Sequence, residues 1–318
     1  MSKSSITSVK NLTTNPSNNA KIWAGLITLY FIWGSTYLAI RFVVESVPPM
    51  LVSGMRTTLA GLILYSFGRF LGRHYTKPQR SHWKTAAITG LLMITVGNGA
   101  ITLAARLVPS SFSALFGALV PVIMTLLVWY FTKKRPNSLI FFGCLLGITG
   151  VSLLMSLNHL ALKGQEANLG WGIVLLLLGN LGWSLGVLLT SRAHVTLSPA
   201  TMSGMQLMIG GAVSLLISTC LGELSLVHVE SITLKSILSF LYLLSFGSLL
   251  GFSVFGWLTQ NADPTLVATY TYVNPLVALT LGFLLAGESL NPLMLAAAFL
   301  IVGAVVLITR GKRETNDS

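Results

Sequence analysis

The sequence predicts an all-α membrane protein in which ten transmembrane helices form two inverted five-helix repeats. The first observation is composition. Hydrophobic residues make up 53% of the 318 residues and charged residues only 9%, whereas soluble globular chains carry about 25% charged residues. The second is a succession of long apolar runs separated by short loops with turn-forming residues. The third is a set of landmark residues that recur in the same order in both halves. A soluble or disordered chain is therefore excluded.

Each apolar run is long enough to cross a bilayer, because a helix rises about 1.5 Å per residue and about 20 residues cross a hydrocarbon layer of about 30 Å. The loops between the runs are too short to hold a folded extramembrane domain. The ten predicted spans are Ile22–Ile40, Met50–Phe70, Thr85–Ala105, Ser110–Phe131, Leu139–Leu157, Gly170–Thr190, Ala200–Leu221, Ser236–Leu258, Thr265–Ala286 and Pro292–Thr309.

The predicted orientation follows from the uneven distribution of Lys and Arg. Fifteen lie in the two tails and in the second, fourth and sixth loops, whereas four lie in the loops of the other side. Since cytoplasmic loops are enriched in Lys and Arg, both termini are predicted to be cytoplasmic. The first twenty residues contain no apolar stretch and are not a signal peptide. The predicted organisation is a polar cytoplasmic tail (1–21), a first repeat (22–157), a linker loop (158–169), a second repeat (170–310) and a cytoplasmic tail (311–318).

Internal repetition links the two halves. Five landmarks recur at nearly constant offset, which is 150 positions for the first three and 154 for the last two. They are Trp33 with Trp183, Pro49 with Pro199, Ser53-Gly54-Met55 with Ser203-Gly204-Met205, Pro121 with Pro275, and Asn137 with Asn291. Because each half holds an odd number of spans, the second half enters the membrane in the opposite sense. Inverted repeats of this kind are common in secondary transporters, whose substrate sites lie near the bilayer midplane between the repeats.

Several segments carry a resemblance to a known family. They are Ile32-Trp33-Gly34-Ser35-Thr36-Tyr37, Gly97-Asn98-Gly99, Gly170-Trp171-Gly172 followed by Trp183, Thr269-Tyr270-Thr271-Tyr272-Val273-Asn274-Pro275, and Gly287-Glu288. With these segments the chain resembles the drug/metabolite transporter superfamily of the EamA type, and most closely its YedA-like inner-membrane permeases. The resemblance implies ten helices in two repeats, a central cavity and transport of small metabolites, usually outward. The chain departs from many relatives at the end of the fourth span, where Thr132-Lys133-Lys134-Arg135 stands in place of an acidic residue.

Four aromatic residues are candidates for binding substrate. Interfacial aromatic belts lie at the ends of spans, whereas Trp33 and Trp183 lie near the middle of theirs. Tyr37 follows Trp33 by four positions, so the two share a helix face. Tyr270 likewise lies four positions before Asn274 and shares a face with it. These side chains are predicted either to form the wall of a cavity or to pack within the bundle.

Polar residues at depth are the second group of candidates. Arg56 lies inside the second span, where an ionisable group is costly and usually faces the bundle interior. It is predicted to hold an anionic group of the substrate or, alternatively, to extend its side chain to the outer surface. The amides of Asn98, Asn180 and Asn274 lie in or near the middle of their spans, where they either bind substrate or join helices.

Two prolines lie near the middle of matched spans and are predicted hinges. Pro121 and Pro275 lack an N–H and clash with the carbonyl four residues earlier. The carbonyls of Gly117 and Thr271 are therefore expected to face protein or a water-filled cavity, since lipid cannot satisfy them. The alternative is a static kink.

Acidic residues are scarce and lie at span ends, in loops or in the tails. A dedicated proton-relay carboxylate at the bilayer centre is therefore absent from the sequence. This argues against carboxylate-based proton antiport and against cationic drugs as substrates. Glu288 is the best remaining candidate for such a role, with a helix cap as the alternative.

These features favour a secondary transporter of the exporter type, which moves small metabolites such as amino acids or related amphipathic compounds across the inner membrane by alternating access. A lipid or drug translocator of the same fold is the alternative. A membrane-embedded enzyme is disfavoured, because no nucleophile–base pair or carboxylate cluster is visible. The sequence contains no GxxxxGK[ST] loop for ATP and no metal-ligand spacing. The expected partners are a small-molecule substrate and membrane lipids, with no nucleic acid and no cofactor.

Overall fold

The computed structural model describes residues 16–70, 76–133, 135–156, 166–193, 196–262, 267, 269–288 and 292–317. All regular elements in these residues are helical. They are α1 (Pro16–Val44), α2 (Pro49–Phe70), α3 (Arg80–Ala104), α4 (Ser110–Thr132), α5 (Ser138–Ser156), α6 (Glu166–Arg192), α7 (Pro199–Cys220), α8 (Leu234–Tyr242, Leu243–Leu250 and Gly251–Asn261 in succession), α9 (Tyr270–Ala286) and α10 (Pro292–Asp317). Two short 3₁₀ turns, Glu223–Leu226 and Val229–Ser231, join α7 to α8.

Length and composition suit a membrane environment. Seven of these helices are long and apolar enough to cross a bilayer, namely α1, α2, α3, α4, α6, α7 and α8. Three shorter apolar stretches, Ser138–Gly150, Val273–Ala286 and Pro292–Ile308, lie in α5, α9 and α10. Large apolar side chains such as Phe70, Trp171 and Phe299 are exposed on the outside of the bundle, where hydrocarbon is a favourable environment for them.

The most extensive helix contacts join α2 to α7 and α5 to α10. Small residues let these backbones approach closely. A Cβ atom added at Gly54 would lie 2.8 Å from the Leu215 backbone nitrogen, and one added at Gly204 would lie 2.6 Å from the Tyr65 nitrogen. The two contacts are related by the repeat offset of 150, since Gly54 and Gly204 lie 150 positions apart and so do Tyr65 and Leu215. The α2–α7 interface is therefore built from two copies of the same contact.

The α5–α10 interface repeats in the same way, with an offset of 154. A Cβ atom at Gly143 would lie 2.8 Å from the Ala304 carbonyl oxygen, and one at Gly150 would lie 3.2 Å from the Ala297 carbonyl oxygen. Exchanging the halves again maps one contact onto the other. Both interfaces thus join equivalent surfaces of the two halves, as a two-fold relation requires.

Two π-helical segments interrupt α-helices at equivalent positions of the two halves, and sequence patterns did not predict them. They are Leu91–Asn98 within α3 and Leu243–Leu250 within α8, and their starts differ by 152 positions. π-Helical turns are rare and frequently occur at functional sites. Asn98 ends the first segment and Gly247 lies within the second, and both line the cavity described below.

Three helices extend into segments that were predicted to be tails or the linker. α1 begins at Pro16, inside the predicted N-terminal tail, α6 begins at Glu166, inside the predicted linker, and α10 continues to Asp317, inside the predicted C-terminal tail. Hydrophobicity marks the edge of the hydrocarbon layer, whereas a helix continues as long as its backbone hydrogen bonds are satisfied, including through the headgroup region. Pro16 also suits a first helical position. Residues 158–165 of the predicted linker lie outside the described residues.

Candidate substrate-binding cavity

A cavity lies between the two halves, with about 790 Å³ of free space counted out to its open side. Helices α1 to α4 of the first half and α6, α8 and α9 of the second contribute its wall. All eight predicted binding residues line it: Trp33, Tyr37, Arg56, Asn98, Asn180, Trp183, Tyr270 and Asn274. The structure therefore brings together, around one space, residues that lie up to 241 positions apart in the sequence, from 33 to 274.

An aromatic cluster forms one end of the cavity. The ring of Trp33 lies 5.0 Å from Tyr270 and 6.1 Å from Trp183, measured between ring centroids. Phe252 and Phe255, which the sequence analysis did not single out, lie 5.9 and 5.1 Å from the same ring. The Trp33 indole Nε1 also donates a hydrogen bond to the Gly247 carbonyl at 3.3 Å. The rings of this cluster thus pack against one another, and all of them except Phe255 also line the cavity.

Arg56 brings a positive charge to the cavity wall. It is 4% exposed, so its side chain stays inside the bundle instead of reaching the outer surface. Its Nη2 donates to the Asn98 side-chain oxygen at 2.5 Å, and Ser53 Oγ donates to the same oxygen at 3.3 Å. The buried Nε has no partner, and no carboxylate of the described residues lies within 4.0 Å of the guanidinium. A buried charge without a counter-ion is costly and indicates a place for an anion.

The matched position of the second half carries no charge. Gln206 donates from its Nε2 to Thr89 Oγ1 at 2.9 Å and to Thr190 Oγ1 at 3.0 Å. Its amide is therefore satisfied by neighbouring helices and does not line the cavity. The two halves are alike in backbone, and only the first supplies a cation to the cavity.

Asn180 and Asn274 use their amide groups to join helices around the cavity. Asn180 Nδ2 donates to the Phe116 carbonyl of α4 at 2.8 Å. In the orientation that satisfies its amide, Asn274 Nδ2 donates to the Tyr30 carbonyl at 3.3 Å and to the Tyr270 carbonyl at 3.0 Å. Both side chains are nearly fully buried. The N–H groups of both amides therefore bond to backbone carbonyls instead of pointing to a ligand, although both residues still border the cavity.

The two predicted hinges differ in the structure. α4 consists of Ser110–Gly117 and Val120–Thr132, with a turn between them, and Pro121 stands at the start of the second piece. α9 continues as one helix from Tyr270 to Ala286 through Pro275. Pro275 is the sixth residue of α9, so it removes the hydrogen bond that an N–H at this position would donate to the Thr271 carbonyl. In the part of the chain that the structure describes, Pro121 therefore follows a break that borders the cavity at Gly117 and Ala118, whereas Pro275 lies within a helix.

Glu288 caps a helix at the end of the bundle that orientation rules place outside. Its carboxylate accepts hydrogen bonds from the backbone nitrogens of Ser110 and Ser111 at 2.8 and 3.2 Å, and from their hydroxyls at 2.7 and 2.6 Å. Arg41 Nε lies 3.9 Å away. Gly287 adopts a left-handed conformation (φ +63°) that ends α9 and directs Glu288 toward α4. The cap alternative therefore describes this residue, and it lies outside the cavity lining.

A second carboxylate plays the same part at α2, and the sequence analysis missed it. Glu223 accepts from the backbone nitrogens of Met50 and Leu51 at 3.3 and 2.8 Å and from Ser218 Oγ at 2.7 Å. Its sequence neighbourhood is a loop and carries no signal for a cap 172 residues away from its partner. Free N–H groups at helix starts attract carboxylates, but only the tertiary structure shows which carboxylate meets which helix.

Comparison with known proteins places this arrangement in a family. The sequence profile of the EamA-like transporter family matches residues 21–156 and again residues 170–310. The chain belongs to the EamA-like transporter family. The EamA profile thus occurs twice in the chain, in agreement with a duplicated fold.

Relatives of this EamA protein align over nearly its whole length. The uncharacterized inner membrane transporter YedA of Escherichia coli strain K12 is 36% identical, over 92% of this chain and 91% of its own length. The uncharacterized transporter YvbV of Bacillus subtilis strain 168 is 29% identical, over 91% and 92%. Protein PecM of Dickeya dadantii is 28% identical, over 87% and 88%. One solved crystal structure has a TM-score of 0.63 at 17% identity, covering 92% of this chain and 97% of that one, and this likeness shows the fold alone.

Family and relatives together confirm the coarse predictions. The protein is a transporter and not an enzyme, and it is a multi-pass protein of the inner-membrane type. The predicted resemblance to EamA-type, YedA-like permeases is confirmed.

Proposed function

We propose that this protein is a secondary transporter that exports small metabolites, such as amino acids or related amphipathic compounds, by alternating access. The observation that carries the proposal is the cavity between the two halves, lined by a buried arginine, three amides and an aromatic cluster. Apolar and aromatic walls with a few placed polar groups are typical of small-molecule sites.

The proposed architecture is ten transmembrane helices in two inverted repeats, divided at 22–157 and 170–310 with both tails in the cytoplasm. The reciprocal glycine contacts of α2 with α7 and of α5 with α10 support a pseudo-two-fold relation between the halves. An odd number of spans in each half then makes the repeats inverted. The distribution of Lys and Arg supports the cytoplasmic placement of both termini.

Alternating access needs a barrier on each side of the cavity. The outer barrier is the polar contact of Glu288 with Ser110 and Ser111, reinforced by a hydrogen bond from Arg41 Nη1 to the Val108 carbonyl at 3.1 Å. The inner barrier is the aromatic cluster around Trp33, together with the hydrogen bond between the Tyr30 and Thr269 hydroxyls. Releasing one barrier while keeping the other would expose the cavity to one side at a time.

Each lining residue has a proposed role. Arg56, oriented by Asn98, holds an anionic group of the substrate, and Trp33, Tyr37, Trp183 and Tyr270 contact its apolar body. Asn180 and Asn274 present amides at the same depth. The break before Pro121, with Pro275 opposite, provides the place where α4 and α9 bend during the cycle.

The first test compares extracellular metabolites of cells that overexpress the protein with those of cells that lack it, followed by flux of the enriched compounds from proteoliposomes. A labelled phospholipid in the same vesicles tests the lipid-translocator alternative. Export of a soluble compound without lipid flux is the expected result. Lipid flux without solute flux would refute the proposal.

A paired tryptophan replacement tests the cavity assignment. Trp33→Leu with Trp183→Leu removes two rings from the cavity, and aromatic contacts worth about 0.5–1.5 kcal/mol each predict a flux reduced about 5- to 150-fold. Trp23→Leu with Trp171→Leu is the matched control, because these tryptophans lie in the same two helices and are exposed. Equal flux in both double variants, at equal membrane insertion, would contradict the assignment.

A further inference from the structure

We infer that the transported compound is an amphipathic monoanion, a single carboxylate on an apolar body, and that it leaves the cell electrogenically. The inference rests on the proposed transport function and narrows its substrates to amphipathic anions, so that zwitterionic amino acids are disfavoured. Three features of the cavity support it: an unpaired buried cation, the lack of an acidic partner, and the position of that cation beside the aromatic cluster.

The cation is Arg56. Its guanidinium is buried, makes one hydrogen bond to a neutral amide and leaves Nε without a partner. A guanidinium presents paired N–H groups that match the two oxygens of a carboxylate. Asn98 holds the Nη2 side of the group, Nε is enclosed without a hydrogen-bond partner, and a ligand would meet the guanidinium from the cavity that Arg56 lines. A carboxylate entering the cavity would supply the counter-charge that the described protein residues do not.

The cavity lacks a group of opposite sign for a substrate cation. No Asp or Glu lines it among the described residues, and the eight acidic residues of the sequence all lie at span ends, in loops or in tails. An ammonium group in this space would face Arg56 without a carboxylate to pair with it. The charge that balances the cavity is therefore −1, which favours a monoanion over a zwitterion or a cation.

Gly247 connects the cation to the aromatic cluster. A Cβ atom at this position would lie 3.7 Å from Arg56 Nη1, and its carbonyl accepts the hydrogen bond from Trp33. The carboxylate site and the indole therefore flank the same residue of the π-helical segment in α8. A ligand that contacts both the Arg56 guanidinium and the Trp33 indole would carry its charge only a few bonds away from an apolar or aromatic body.

The charge of the substrate determines its driving force. Each negative charge that leaves a cell with a potential of 100 mV, negative inside, shifts the equilibrium ratio of the compound about 50-fold toward the outside. The sequence contains no acidic residue in the middle of a predicted span to carry a counter-moving proton. The membrane potential by itself would then drive export of a monoanion.

The binding test uses three compounds with the same aromatic body: 3-phenylpropionate (charge −1), phenylalanine (zwitterion) and phenethylamine (charge +1). Isothermal titration to the purified full-length protein should show saturable binding of 3-phenylpropionate, at least ten-fold weaker binding of phenylalanine and none of phenethylamine. Arg56→Gln should weaken 3-phenylpropionate binding ten-fold or more, and Arg56→Lys should retain part of it. Arg69→Gln is the matched control, since it makes the same change at the far end of α2. Monodisperse elution of each variant confirms folding.

The electrical test uses 2-phenylethanesulfonate, whose permanent charge prevents passive leak, in proteoliposomes with a potassium diffusion potential set by valinomycin. Efflux should rise when the inside is made negative and fall when the potential is reversed. Flux that ignores the potential would overturn the electrogenic step. Equal binding of phenylalanine and 3-phenylpropionate, binding of phenethylamine, absence of 3-phenylpropionate binding, or an Arg56→Gln protein with unchanged affinity would overturn the substrate class. The comparison of extracellular metabolites, with flux from proteoliposomes, would still decide the transport function separately.

Discussion

The contact of Glu288 with the start of α4 provides a direct test of the outer barrier. Its carboxylate accepts four hydrogen bonds from two residues, with side-chain exposure of 9%. Glu288→Gln keeps the shape, but only one end of the amide accepts, so two of the four donors lose their acceptor. Hydrogen bonds to charged groups contribute about 1.5–3 kcal/mol each. With partial compensation, we expect the closed outer barrier to lose about 2–3 kcal/mol, which corresponds to a shift of about 30- to 150-fold in favour of opening.

Accessibility of the cavity from outside measures this shift. A single cysteine at Thr36, which lines the cavity, is introduced in a background where Cys144 and Cys220 are replaced by serine. A membrane-impermeant thiol reagent is then applied to intact cells. Labelling of the cysteine at position 36 should accelerate strongly with Glu288→Gln, toward the 30- to 150-fold limit set by that free energy.

A matched carboxylate separates gating from stability. Glu223→Gln removes a similar cap from α2, on the same side of the bundle, and should lower the thermal unfolding temperature without changing labelling at position 36. Labelling that stays at the wild-type rate in the Glu288→Gln protein would refute the outer-barrier reasoning. Equal acceleration by both substitutions would show a general loosening instead of a specific barrier.

Three further changes test packing and cavity geometry. Gly61→Leu should destabilise the protein by about 3 kcal/mol, because a Cβ atom there would already lie 2.8 Å from the Gly204 carbonyl oxygen. Gly170→Leu is the control and should leave the unfolding temperature unchanged, because a Cβ atom there meets nothing within 4 Å. Equal effects of the two substitutions would contradict the packing described for α2 and α7. Gly117→Ala should reduce flux, because the alanine methyl group would collide with the Tyr37 hydroxyl. Adding Tyr37→Phe to this variant removes the hydroxyl and should restore part of the flux. A double variant with no restored flux would contradict the steric explanation. Asn137→Ala should lower the free energy of unfolding by about 1–2 kcal/mol. In the wild-type protein, Asn137 Nδ2 donates to the Gly311 carbonyl at 2.7 Å and Asn137 Oδ1 accepts from the Ile140 nitrogen at 2.9 Å. An unaltered melting curve would argue against this hydrogen-bonded contact between α5 and α10.

Depth along a helix was the most useful sequence signal for the site. Trp33, Arg56 and Asn180 are candidates because their residue types are unusual inside an apolar span, and all three line the cavity. This reasoning works because a membrane imposes one coordinate on every helix, so residues at equal depth can be compared without knowing which helices touch. Their role in binding stays a prediction until the variants are measured.

Other parts of the site gave no such signal. Phe252 and Gly247 are ordinary residues of an apolar span, and they matter because α8 places them against Trp33 and Arg56. Hydrophobic periodicity also does not encode the π-helical segment that contains Gly247. Residue type and spacing therefore identified side chains with unusual chemistry, whereas their common neighbours remained hidden.

Sequence alone determined the membrane class, the apolar spans, the repeated landmarks and the chemistry available at each depth, because hydrophobicity, charge and proline act through the local chain and the bilayer. Only the tertiary structure decided that Arg56 meets no carboxylate among the described residues while Gln206 is satisfied. It also decided that Pro121 stands at the start of a helix piece while Pro275 lies inside a helix, and that Glu288 and Glu223 cap distant helices. These properties depend on which helix faces which, and that is set by close packing between surfaces far apart in the chain.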